Sequence, residues 1–245
     1  MVGFVYVQAV QALGIRSAKS KKEVSMQALV IGNGESRRNI DIDKFQDHTL
    51  IGCNAVHREL IVDHLICCDQ RMVREAVENP NTINTTIYVR DLWYHYFRKI
   101  RKNKNINLLP DLPYKGDRRH DQPIHWGSGC YAVLLAALLE HRKISMIGFD
   151  LYAKEDRVNN IYKGTANYAG TNSSPVDPAY WVYQIGQVFH YFPDTIFNIY
   201  NFREWSVPRD WKKSNVQLMH LNIDTQLNMS YNSSSAVFNG IHPAL

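Results

Sequence analysis

Four short clusters, each bordering an apolar run, hold side chains able to bind or turn over a small ligand. The sharpest is Gly32-Asn33-Gly34-Glu35-Ser36. Glycines there let the backbone turn tightly and approach a ligand, and exposed N–H groups hold an anion. The third glycine of a dinucleotide fingerprint would fall at Arg37, so Gly32, Asn33, Gly34 and Ser36 form either a different cradle or an ordinary strand-to-helix turn. Gly52-Cys53-Asn54 places a second amide at a strand end. Asn33 and Asn54 together can read a base or a ribose without charge, or tie two loops together. Trp126-Gly127-Ser128-Gly129 stands directly before the most apolar helical stretch. Ser128 is expected to cap that helix, and Gly129 to leave its N-terminus open to a phosphate or carboxylate. Gly148-Phe149-Asp150-Leu151-Tyr152 supplies Asp150, expected to organise its loop, and Tyr152, able to reach a phosphate. Asp69, after Cys67-Cys68, is either a ligand contact or a helix cap.

Other signals carry less. Asp41-Ile42-Asp43 resembles a metal-binding D-x-D string but follows no strand, so a solvated turn is expected. His120 and His125 flank a proline loop without the Cys or carboxylate spacing of a zinc site. No metal ligand is assigned. The basic run Arg98, Lys99, Arg101, Lys102, Lys104 lacks interleaved aromatics and is expected to be a solvated helix face and loop, which argues against a nucleic-acid binder.

These clusters need a scaffold that brings strand ends together. Compact aliphatic runs predict strands at Leu29–Gly32, Thr49–Cys53, His64–Cys68, Thr86–Val89, Ile144–Phe149 and Thr195–Ile199. Helices are predicted over Gln70–Glu78, Leu92–Ile100, Ser128–Glu140, and from Pro178, capped by Asp177, to Tyr191. Strand–helix alternation implies an α/β, Rossmann-like, mostly parallel sheet with helices on both faces. Segments 102–123 and 152–176, rich in Pro, Gly, Tyr and Ser, read as lid-like insertions. Tyr162 and Tyr168 lie in the second.

The chain has 245 residues and a formal net charge of +5, with 45% hydrophobic and 21% charged residues. That composition excludes a largely disordered chain, and no apolar stretch approaches the roughly 18 residues of a membrane span. Four cysteines, two adjacent, suit a reduced, cytoplasmic setting rather than a disulfide framework. Residues 1–25 read as a dispensable leader, 26–211 as the nucleotide-binding domain, and 212–245 as a loosely packed tail.

Taken together, Gly32-Asn33-Gly34-Glu35-Ser36 with Ile40-Asp41, then Cys53-Asn54, Ser128-Gly129-Cys130-Tyr131 and Gly148-Phe149-Asp150-Leu151-Tyr152 resemble the ordered motifs of bacterial sialyltransferases of glycosyltransferase family 42. The opening also resembles related domains that include hydroxymethylpterin diphosphokinase. The resemblance covers roughly residues 26–200. It implies a metal-independent transferase passing a sialic-acid-like sugar from a cytidine monophosphate (CMP) sugar donor to a glycan acceptor. Asn33 and Asn54 match the nucleotide-holding asparagines, and Ser128 and Gly129 the pair at the cytidine end. Tyr152, with Tyr162 or Tyr168, matches tyrosines that support the departing phosphate. The family's histidine base has no counterpart in Thr171-Asn172-Ser173-Ser174-Pro175-Val176-Asp177, so either the base has moved, with His125 or Asp177 the candidates, or the chemistry differs. The diphosphokinase resemblance implies instead Mg²⁺ and ATP, with Asp69 or Asp150 as ligands. A non-catalytic nucleotide-binding protein is the third reading.

Overall fold

The computed structural model describes residues 26–100 and 105–221. The expected leader, residues 1–25, lies outside the described residues, as does the tail beyond Leu221.

Eight strands form one sheet: β1 Gln27–Ile31, β2 Thr49–Cys53, β3 His64–Cys67, β4 Thr86–Val89, β5 Ile106–Leu108, β6 Lys143–Ile147, β7 Ile196–Asn201 and β8 Val216–His220. Their order is β5-β4-β3-β2-β1-β6-β7-β8, and every pairing is parallel. The fold is therefore α/β and Rossmann-like, with an all-parallel sheet. From β1 the chain winds outward to β5, then returns to pair β6 against the free side of β1. This places a topological switch point between β1 and β6, and open α/β sheets bind ligands beyond the strand C-termini at such a point.

Alternation along each strand sorts the core into two layers. Ala28, Val30, Ile51, Ile144, Met146, Phe197 and Ile199 face one layer, and Leu29, Ile31, Leu65, Ile87 and Ile147 the other. The first layer is closed by α3 (Ser128–Leu138) and α4 (Ala179–Tyr191), the second by α1 (Gln70–Glu78), α2 (Asp91–Ile100) and the short helices at Glu35–Asn39, Ile42–Phe45 and Asn54–Arg58. Helix α3 is apolar on every side because it is sandwiched between sheet and α4, and every residue from Cys130 to Leu138 is buried.

Two expectations fail here. Segment 102–123 is not simply a lid, because Ile106–Leu108 adds an edge strand. The loop after it is stitched down: Arg90 donates to the carbonyls of Pro123 and Trp126 at 2.9 and 2.8 Å, and Tyr183 donates to Asp121 at 2.7 Å. The tail is not loose from residue 212 either. Val216–His220 completes the sheet, and the buried Asn215 amide donates to the carbonyls of Phe189, Phe192 and Thr195. Both strands escaped notice because each holds only two or three aliphatic residues in a polar context.

Candidate functional site

The loops beyond β1 and β6 run side by side. Gly32 N–H donates to the Ile147 carbonyl at 2.8 Å, and Gly34 N–H to that of Gly148 at 2.9 Å. A Cβ on Gly32 would stand 2.4 Å from the Gly148 oxygen, and one on Gly34 would stand 2.4 Å from the Asp150 carboxyl carbon. These two glycines therefore serve close approach rather than an unusual dihedral. Asp150 is buried, and its oxygens accept the Ser36 N–H at 3.0 Å and the Ser36 hydroxyl. Burial raises its pKa, while the Ser36 bonds oppose that rise. Asp150 is thus the loop organiser the sequence suggested, with both oxygens engaged by Ser36.

Asn33 and Asn54 follow the ends of the neighbouring strands β1 and β2. The Asn33 amide donates to the Tyr168 hydroxyl at 2.9 Å and more weakly to the Cys53 carbonyl at 3.4 Å. Asn54 adopts φ 51°, a left-handed conformation that asparagine tolerates better than most residues. Its carbonyl accepts the His57 Nδ1–H at 2.8 Å, and burial holds that imidazole neutral by lowering its pKa. The side-chain oxygens of both Asn33 and Asn54 are buried and accept no hydrogen bond. A buried amide oxygen without a donor costs about 1–3 kcal/mol, so the pair is poised to accept from something else.

Tyr168 packs at the same edge, its hydroxyl against Asn33 and Ala55. Its hydroxyl accepts from Asn33 and, at 3.4 Å, from the Ala55 N–H, and burial lifts its pKa well above the usual phenol range. The rest of its segment is clamped over the same edge. Ile161 N–H donates to the Asn33 carbonyl, and Arg37, itself buried, donates to the Tyr162 hydroxyl at 2.7 Å. Burial pushes the Tyr162 phenol up to about 12. Lys163 and Lys154 grip Glu35 at 2.6 and 3.3 Å. Arg58 binds the Glu75 carboxylate with two nitrogens and donates to the Ala166 carbonyl at 2.8 Å, while Asn167 donates to Glu75 at 2.8 Å. Tyr152 stands at the foot of this lid, its phenol held neutral chiefly by burial.

Ser128 belongs to the same edge but does not cap α3. The N-cap is Gly127, which offers no side chain, and the Ser128 hydroxyl accepts the Cys68 N–H at 3.1 Å, linking α3 to the end of β3. Gly129 faces the Phe149 ring, where a Cβ would sit 3.4 Å away. Asp69, exposed at the N-cap of α1, makes no side-chain cap bond. His125 accepts from Arg119 Nε at 3.3 Å, and Asp177 accepts the Ala179 N–H at 2.9 Å as the cap expected of it, although Pro178 holds the N-cap position. Asp41 accepts the Asp43 N–H in a turn, and the four cysteines are packed and free.

Sequence reasoning missed Arg37, Arg58, Glu75 and His57. They are joined through contacts that no local period announces, Arg58 and Glu75 standing 17 residues apart. Two open hollows occur among the described residues. One of about 450 Å³ is lined by Glu140, His141, Arg142, Asp194 and Thr195, and the other by Arg71, Arg74, Glu75, Glu78 and Asn167. Among the described residues no three His, Cys, Asp or Glu side chains cluster as a metal site, and no helix is long and apolar enough to cross a membrane.

Fold and site together define an α/β protein whose candidate residues gather at the strand C-terminal edge of an all-parallel sheet, beneath the segment that carries Tyr162 and Tyr168. No family model, curated protein or solved structure matches the chain.

Proposed function

We propose that the chain binds a nucleotide-activated sugar, a CMP-sugar, at the strand-end edge covered by Tyr168 and transfers the sugar to a glycan acceptor. The reading rests on one observation: the buried, unpartnered side-chain oxygens of Asn33 and Asn54, which follow the neighbouring parallel strands β1 and β2. Acceptors of this kind call for donors, which ribose hydroxyls and a cytosine amine supply and a fully ionised phosphate does not. The phosphate is assigned to the N-terminus of α3, where Gly127 leaves the first N–H groups without a side-chain cap. The neutral phenol of Tyr152 is the donor for the departing phosphate, a role of charge stabilisation. The base is His125 or Asp177, and each first gives up the bond it makes to Arg119 or Ala179. Entry of the donor requires Tyr168 to withdraw.

Titration calorimetry of the full chain with CMP, without divalent metal, tests this. Binding is expected, weakened about tenfold by Asn33→Ala and by Asn54→Gly, which suits the left-handed backbone. ATP binding that depends on Mg²⁺, with no heat from CMP, would overturn it in favour of a diphosphokinase-type site.

A further inference from the structure

Arg37 follows β1 in the short helix Glu35–Asn39, and its side chain runs against the loop that leaves β6. A Cβ on Gly148 would stand 3.2 Å from the Arg37 Cδ, which places this side chain beside the β1–β6 switch point. The residue is 6% exposed. A cation so far from water needs a full set of acceptors and a close counter-charge. Arg37 lacks both. Its Nε is buried and donates to no acceptor. Nη2 makes both of its contacts, 2.7 Å to the Tyr162 hydroxyl, a neutral acceptor, and 3.4 Å to the Glu59 carboxylate. The Glu59 side chain is 49% exposed, so solvent screens its charge. The other carboxylates of these loops are engaged elsewhere, Asp150 by Ser36 and Glu35 by Lys163 and Lys154.

The geometry points to Arg37 as the seat of a ligand oxyanion, a phosphate or carboxylate group, with the Tyr162 hydroxyl holding the place of one of its oxygens. A guanidinium takes such groups through two parallel N–H bonds, so an incoming anion displaces Tyr162 from Nη2 and gives Nε the acceptor it lacks. The rings of Tyr162 and Tyr168 lie 5.5 Å apart on one segment, and the Tyr168 hydroxyl stands on Asn33 as that of Tyr162 stands on Arg37. Withdrawal of that segment uncovers the cation and the amide together. The inference rests on the proposed transferase reading for the place of binding, but not for the ligand, because any small oxyanion tests it. It adds a second anion contact to the one assigned at the N-terminus of α3.

The test is titration calorimetry of the full chain with inorganic phosphate, and separately with CMP and cytidine. Phosphate binding is expected, with Arg37→Met losing at least about tenfold. Tyr162→Phe should gain about tenfold, because the hydroxyl that competes for Nη2 is gone. Arg37→Met combined with Tyr162→Phe replaces both partners by apolar groups of similar shape, so its Tm should match that of the unsubstituted chain while phosphate binding stays lost. CMP identifies the source of the oxyanion. If Arg37→Met weakens CMP but not cytidine, the seat holds the nucleotide phosphate; if it weakens inorganic phosphate alone, the seat holds a separate anionic group. The inference is overturned if neither the unsubstituted chain nor Tyr162→Phe binds phosphate, if Arg37→Met binds it undiminished, or if Tyr162→Phe leaves the affinity unchanged. It is also overturned if the double variant loses more than about 5 °C in Tm, which would make Arg37 a structural strut. Phosphate binding that behaves as expected without any binding of CMP overturns the transferase reading alone.

Discussion

Gly34→Ala probes the join between the β1 and β6 loops directly. The backbone at Gly34 has φ −65°, so alanine meets no dihedral penalty there. The whole effect comes from its methyl group, which would stand 2.4–2.6 Å from the carboxyl carbon and both oxygens of Asp150. Ordinary contact needs about 1 Å more, and a shift of that size breaks the 3.0 Å bond from Ser36 N–H and misaligns the hydroxyl bond. Hydrogen bonds to a charged group contribute about 1.5–3 kcal/mol each, so losing one and weakening the other costs about 3 kcal/mol. For a chain of this size that lowers Tm by about 6–12 °C, read by circular dichroism. Gly170→Ala, whose new methyl would meet only the Ser173 hydroxyl at 3.5 Å, is the control and should stay within about 0.5 kcal/mol. In an Asp150→Ala background the Gly34→Ala cost should shrink to under about 0.5 kcal/mol, since the clashing group is gone. Equal costs in both backgrounds would refute the reasoning.

Three further outcomes follow from the same geometry. Burial holds the His64 imidazole down to about 4, so from pH 6.5 downward the unfolded chain takes up a proton the folded one refuses. Stability should therefore be full above pH 6.5 and fall by about 3 kcal/mol toward pH 4, and His64→Gln should flatten part of that slope in urea titrations. The Arg58 bond keeps the Glu75 carboxyl below its usual range, and Glu35 is also lowered, its desolvation outweighed by Lys163 and Lys154. Both ion pairs then hold at neutral pH and fail as pH drops below about 4.5, and hydrogen exchange across residues 154–168 should accelerate there; unchanged protection would count against the clamp. Tyr168→Phe removes the acceptor shared by Asn33 and Ala55, and should raise exchange in the same segment about fivefold, the equivalent of about 1 kcal/mol.

The sheet and its helices were legible because their signals are local. Gln70–Glu78 has the bounds the sequence suggests, and six of the eight strands are compact aliphatic runs. The candidate site was legible only as a set of strand ends. That Gly32, Asn33, Asn54, Ser128 and Asp150 share one edge follows from a parallel sheet, in which every strand C-terminus lies on the same side. What each atom bonds to was not legible. Ser128 takes a hydrogen bond from the end of β3 instead of capping its own helix. The Tyr168 hydroxyl takes hydrogen bonds from Asn33 and Ala55, which precede it by more than a hundred residues. Charge pairs such as Lys163 with Glu35 join residues that only the finished fold makes neighbours.

The pairing of β1 with β6 also constrains how the chain is made. Once β2 has emerged, one border of β1 is satisfied, but the other faces solvent with its amides and carbonyls unmet until Lys143–Ile147 leaves the ribosome. During that interval Gln27–Ile31, apolar and open along one side, is a template for a stray strand from another nascent chain. A fragment ending before Lys143 would carry that sticky border permanently. Any shortened version intended to stay monodisperse must therefore keep the sixth strand, however little of the candidate site it preserves.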